Sequence, residues 1–201
     1  MHSQLAFFED DKYLAELSQW YTPSDLAERT VRWALEGVRE PIRILEPSAG
    51  LGALIRPIPD QHHVTAYEID PRRMFALEDL GVSSIRCVDY LNHWTEERYE
   101  LAIMNPPYEG DQDAFHVRKA VLSDADRVVA ILRLAALQGV SKWSKVWSVA
   151  RITRMAICIR RQVFHGPVGG TPSGGTAVVE MVARKQLGQR GRPDEMTTEW
   201  W

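Results

Sequence analysis

Apolar positions along the chain fall into short blocks that alternate between two spacings. Tyr13, Leu14, Leu17 and Trp20 recur at helical spacing and predict a helix over residues 10–20. Thr22-Pro23-Ser24 interrupts it. Thr22 or Ser24 can cap a second helix running to about residue 36, with Leu26, Val31 and Leu35 inward. Compact apolar runs follow. Residues 42–45, 64–69, 85–88, 101–104 and 128–132 read as strands, and 72–80, 115–122 and 141–150 as helices. The run Val128-Val129-Ala130-Ile131-Leu132 is apolar throughout, as a strand covered on both faces requires. Two late strands, 155–159 and 177–182, are separated by a Gly/Pro loop over 166–175 with no helical pattern, so they are expected to pair antiparallel. Residues 186–201 are polar and expected to be loose, despite Trp200 and Trp201.

Strands alternating with helices imply an α/β domain. Its sheet is mostly parallel, of about seven strands, with right-handed crossovers and a C-terminal antiparallel pair. The expected division is N-terminal helices over 1–40 packing on a domain over 41–185, then a flexible tail over 186–201. Ligands on such sheets bind at the carboxyl ends of the strands, near the point where strand order reverses.

Composition fits a globular chain of 201 residues, 45% hydrophobic and 25% charged. No apolar run is long enough to cross a bilayer, and the first eight residues lack the pattern of a signal peptide. Cys87 and Cys158 make no disulfide framework, and no Cys/His cluster has zinc spacing. The expected compartment is the cytoplasm, and no metal is expected.

Charge is unevenly placed. Residues 1–126 carry 12 basic and 23 acidic side chains. Residues 127–179 carry eight basic side chains and no acidic one: Arg127, Arg133, Lys142, Lys145, Arg151, Arg154, Arg160 and Arg161. Trp143 and Trp147 lie among them. A cationic block of this kind suits a polyanion, and it equally suits a solvated basic face.

Four turns carry candidate chemistry. In Glu46-Pro47-Ser48-Ala49-Gly50-Leu51-Gly52, two alternate glycines let a ligand approach the backbone, and a following helix would offer free N–H groups. The third glycine of a dinucleotide fingerprint is missing, as is the Gly-Lys-Ser/Thr of an ATP loop. In Tyr67-Glu68-Ile69-Asp70, Glu68 is placed to accept from ribose hydroxyls, whereas Asp70 before Pro71 reads as a helix cap. Asp89 ends the third strand, where an acid can accept from an adenine amine. Asn105-Pro106-Pro107-Tyr108 ends the fourth. Its prolines fix the backbone and aim the Asn105 side-chain oxygen and the Pro106 carbonyl at one point. Tyr108 is expected to give an extruded base a face to stack on.

Taken in order, Tyr21-Thr22-Pro23, the 46–52 turn, Tyr67-Glu68-Ile69-Asp70, Asp89 and Asn105-Pro106-Pro107-Tyr108 resemble the amino-group DNA methyltransferases. The closest likeness is to the small phage-type N6-adenine enzymes, over about residues 21–185. That resemblance implies a Rossmann-like class I methyltransferase fold, S-adenosylmethionine as cofactor and DNA as partner. By analogy Thr22 and Pro23 border the methionine end of the cofactor, and Glu46 faces its methionine portion. Pro47, Ser48, Gly50 and Gly52 wrap the cofactor. Glu68 holds the ribose, Ile69 packs on the adenine, and Asp89 accepts from its amine. Asn105, Pro106, Pro107 and Tyr108 form the catalytic turn. Arg133, Lys142, Lys145, Arg151, Arg154, Arg160 and Arg161 are the expected nucleic-acid contacts. Only 135–150 and the 165–176 loop are left to read sequence, which points to short specificity or to a specificity partner. Alternative readings are an RNA adenine methyltransferase, a protein glutamine methyltransferase, or a non-catalytic binding protein on the same fold.

Overall fold

The computed structural model describes residues 21–137, 142–160, 162, 164, 174–184 and 196–201, with 142 and 143 described by backbone only. The helix expected over 10–20 lies outside the described residues. After helix α1 (Ser24–Ala34) come β1 (Arg43–Glu46), β2 (His63–Tyr67), α2 (Met74–Glu78), β3 (Ser84–Arg86) and β4 (Tyr99–Met104). Then follow α3 (Gln112–Lys119), β5 (Ala125–Arg133) and the short helices α4 (Leu134–Leu137) and α5 (Lys142–Trp147). The chain closes with β6 (Ala150–Ile157), β7 (Thr176–Ala183) and β8 (Thr197–Trp200).

One eight-stranded sheet results, in the order β3-β2-β1-β4-β5-β7-β6-β8. The first five of these are mutually parallel, β7 runs antiparallel to both β5 and β6, and β8 pairs parallel with β6. From β1 the chain steps outward to β2 and β3, then returns to lay β4 on β1's other side. The β1/β4 border is therefore the switch point, and Glu46 and Asn105 lie at its carboxyl edge.

The apolar run of β5 explains itself. Val128, Ala130 and Leu132 enter one buried cluster with α3, while Val129 and Ile131 enter another with α1 on the opposite face. Alternate side chains thus serve both faces, so no polar position is left. Among the described residues no helix is long and apolar enough to cross a membrane.

Three expectations need correction. Residues 51–58 form successive turns rather than a helix, because Gly50 and Gly52 hold positive φ (56° and 76°) and Pro57 and Pro59 remove backbone donors. Helix α1 has Pro23 at its N-cap with no side-chain cap; the Thr22 hydroxyl is used elsewhere. The end of the chain is not loose throughout, since 197–200 adds an eighth strand. There the Trp201 amide donates to the Ile157 carbonyl (2.8 Å), and the Trp201 ring packs edge-on against Trp33 (5.7 Å, 87°). Glu199 accepts from Trp33 Nε1 (2.6 Å), and the Arg154 guanidinium lies 4.2 Å from the centre of the Trp33 ring.

Arg154 also pairs with Glu36 and Glu199, and its side chain is 21% exposed. Arg154→Ala would leave both acids and the Trp33 face without their cation. Its expected cost is about 1–2 kcal/mol, readable as a lower Tm. An unchanged Tm would mean that the strand holds without this clamp.

Candidate active site

Tight turns at the ends of β1, β2 and β4 build the site. Gly50 donates its N–H to Glu68 Oε2 (2.7 Å), and the Asp70 N–H donates to Oε1 (2.8 Å). Glu68 thereby ties the β1 turn to the end of β2. Burial pushes its carboxyl above the usual range, against those two backbone bonds. Asp70 accepts from Arg72 N (3.0 Å), the capping role read from its place before Pro71. Gly52 faces inward instead: a Cβ there would stand 2.2 Å from Leu80 Cδ1.

A cavity of about 370 Å³ lies along this edge, within the range of small-molecule sites. Pro47, Ser48, Gly50, Glu68, Ile69 and Asp89 line it together with Asn105, Pro106 and Pro107, and Ser48 Oγ donates to the Asn105 carbonyl (3.3 Å). Ile69 is 50% exposed and Val88 39%, so two apolar side chains stand open on the cavity wall. A smaller cavity of about 40 Å³ adjoins, with Thr22, Glu46 and Asn105 on its walls. The fold thus gathers most of the expected residues. Pro23, Gly52 and Tyr108 line neither cavity.

Glu46 is 2% exposed and accepts from Ser48 N (3.0 Å) and Oγ (3.3 Å). Desolvation pushes its pKa up to about 8, with a smaller push from Glu68 and opposition from the Ser48 bonds. No cation pairs with it among the described residues. A buried acid in this state is poised to accept a positively charged group.

Asn105 is held at both ends. Its Nδ2 donates to Thr22 Oγ1 (3.0 Å), and the Tyr108 hydroxyl donates to its Oδ1 (2.6 Å). An amide oxygen has two lone pairs, so it can accept from an incoming donor as well as from Tyr108. The stacking role expected of Tyr108 needs correction. The residue is 8% exposed, and its ring lies under the Arg133 guanidinium at 5.0 Å. Its contact with the site runs through the hydroxyl, and it therefore positions Asn105.

Residues given no site role from the sequence complete the wall. Tyr21 lines both cavities, with the buried Arg73 guanidinium 5.1 Å from its ring centre. Tyr90 and His116, whose rings pack at 5.4 Å, line the larger cavity beside Asp89. His116 reaches it from one turn of α3 beyond the Asn-Pro-Pro-Tyr segment, a placement that no local sequence signal marks.

The cationic block divides in three dimensions. Arg133 pairs with Asp113 (3.2 Å), Arg127 with Glu180 (2.9 Å), and Arg154 with Glu36 and Glu199. The acids missing from 127–179 are supplied by other segments, so Arg133 and Arg154, expected as nucleic-acid contacts, are already held in ion pairs. Lys145 and Arg160 are exposed and Arg151 is half-buried, and none of the three forms an ion pair among the described residues. The Lys142 side chain and Arg161 lie outside the described residues. If these side chains meet phosphate, Ala at Lys145, Arg151 or Arg160 should each reduce the slope of log affinity against log salt by about 1. Arg133→Ala should leave the slope in place and lower Tm. A filter-binding salt series on each variant checks this, and equal slopes throughout would remove these residues from nucleic-acid binding.

No protein-family model matches the chain. Over 92 residues it is 34% identical to the type II methyltransferase M.CvrRI of Paramecium bursaria Chlorella virus XZ-6E, covering 44% of this chain and 24% of that protein. The match thus spans about a quarter of that relative's length. A Listeria monocytogenes structure assigned as a class I S-adenosylmethionine-dependent methyltransferase superposes with a TM-score of 0.68 at 12% identity, covering 98% of this chain and 70% of that one. A Pyrococcus horikoshii structure assigned as an RNA methyltransferase also gives 0.68, at 20% identity over 83% and 87%. At such identities the shared property is the fold. The chain has the Rossmann-like fold of class I S-adenosylmethionine-dependent methyltransferases.

Proposed function

We propose that this protein transfers a methyl group from S-adenosylmethionine to the exocyclic amino group of adenine in DNA. The observation that carries this is the Asn105 amide. It is clamped between Thr22 and Tyr108 and lies on the same edge as a buried, cation-seeking acid. The likeness to a type II methyltransferase supports DNA as the polymer.

The residues present fit the cofactor. Glu46 suits its ammonium, Glu68 its ribose hydroxyls, and the open faces of Ile69 and Val88 a flat heterocycle. When bound, the cofactor supplies an electrophilic methyl group. The work of this chain lies on the acceptor side. An aromatic amine is a poor nucleophile because its lone pair is delocalised into the ring. Asn105 Oδ1 and the Pro106 carbonyl accept its two hydrogens, which favours a tetrahedral nitrogen and localises the lone pair. After transfer the nitrogen carries a positive charge and sheds one proton to water. Positioning and electrostatics account for the rate gain. Incubation with tritiated donor and DNA, RNA or a glutamine-bearing protein tests the polymer. Label in DNA is expected, and label confined to RNA or protein would refute the assignment.

A further inference from the structure

His116 is 6% exposed and lines the larger cavity with Val88 and Asp89. Its Nδ1 lies 2.8 Å from the Gln112 carbonyl oxygen, four residues back on α3. A carbonyl only accepts, so Nδ1 carries the hydrogen. Burial lowers the ring's pKa to about 4, so the imidazole is neutral and Nε2 keeps its lone pair. Nε2 has no hydrogen-bond partner among the described residues. The ring leans on Tyr90 (5.4 Å, 35°), whose hydroxyl is held by Asp124 and whose face carries the Lys119 ammonium at 3.9 Å. The imidazole is therefore a fixed acceptor.

Asp89, the acid expected to receive the adenine amine, is fixed by its own turn and keeps lone pairs to spare. Its Oδ1 accepts from Leu91 N (2.9 Å) and its Oδ2 from Asn92 Nδ2 (2.6 Å), capping the 90–92 turn. On the same wall His116 adds a second acceptor, an Nε2 with no hydrogen-bond partner among the described residues.

We propose that His116 is a recognition residue of the donor pocket, its Nε2 accepting a hydrogen bond from the exocyclic amine of the donor's adenine. This rests on the reading of the cavity as a methyl-donor site. It deepens that reading by making purine selectivity a property of α3 as well as of Asp89. A 6-oxo purine would set its oxygen against the Nε2 lone pair, acceptor against acceptor, and leave both unsatisfied.

Calorimetry on the full chain with S-adenosylhomocysteine and S-inosylhomocysteine tests this. The wild type is expected to prefer the adenosyl ligand. In His116→Phe, which keeps a flat ring and removes the acceptor, that preference should fall about tenfold. His116→Gln, with an amide oxygen, should restore part of it, and it decides the matter if the Phe variant fails to fold. A merely structural role would weaken both ligands equally, so an unchanged ratio overturns the proposal. A wild type that binds neither ligand overturns the donor reading itself, and this inference with it.

Discussion

Asn105→Ala is expected to cut the single-turnover rate of methyl transfer by about 100-fold or more, with donor affinity and Tm nearly unmoved. The side chain lines the cavity at the end of β4, and in the proposed reaction its oxygen is needed where charge develops on the reacting nitrogen. The amide works only if its oxygen faces inward. Thr22 and Tyr108 enforce this by engaging its two ends. Thr22→Val and Tyr108→Phe should each lower the rate several-fold, the loss of one neutral hydrogen bond, and Tyr108→Phe, outside both cavities, should do so without touching donor affinity. Tyr108→Phe separates two roles for that residue. A stacking face would survive the change, because the ring is kept. A positioning hydroxyl would not. Rapid-quench single turnovers with saturating donor, alongside melting curves, give both readouts. An Asn105→Ala protein that is folded, binds donor and reacts at the wild-type rate removes Asn105 from the chemistry.

Glu46→Gln should abolish measurable donor binding and at the same time stabilise the protein at alkaline pH. In the folded chain the Glu46 carboxyl titrates near 8 instead of its ordinary 4.5. Between those values the folded state holds a proton that the unfolded state has released. Stability from this group is therefore fully present below pH 4.5 and declines as pH rises to about 8. A tenfold change in proton affinity is worth about 1.4 kcal/mol, so the penalty above pH 8 amounts to a few kcal/mol. Glutamine stays neutral at every pH and avoids it. Tm measured from pH 5 to 9 should fall more steeply for the wild type than for Glu46→Gln. The raised pKa also makes donor binding proton-linked: pairing Glu46 with a cation at pH 7 releases a proton, so the binding enthalpy should depend on the buffer's ionisation heat. Parallel Tm profiles and a buffer-independent enthalpy would show that Glu46 is charged before the donor arrives.

The sheet is legible in the sequence because its signals are local. The apolar run at 128–132 fits only a strand buried on both faces, and Gly50, Gly52, Pro106 and Pro107 mark the turns after β1 and β4. The acids Glu46, Glu68 and Asp89 are legible for the same reason, since each stands at or just past a strand end. What escapes depends on distant partners. β8 is a polar Thr-Thr-Glu-Trp segment held by Trp33 and Arg154, more than 40 residues away in sequence. The charge block looks unbalanced because Asp113, Glu36, Glu180 and Glu199, which neutralise half of its arginines, lie outside it. The place of Tyr108 at its turn is readable, but the sequence does not tell which way its ring faces; Arg133 over the ring decides that. His116 gives no signal, since a histidine in a helix is ordinarily read as surface or core.

In the proposed reaction the Asn105 turn holds the amino group of adenine for methylation. Its most direct measurement is nucleoside analysis of unmodified duplex DNA after incubation with the protein and tritiated S-adenosylmethionine. Label is expected in N6-methyldeoxyadenosine with the wild type and none above background with Asn105→Ala. Label in N4-methyldeoxycytidine, or in N6-methyldeoxyadenosine at the same rate with both proteins, would contradict it.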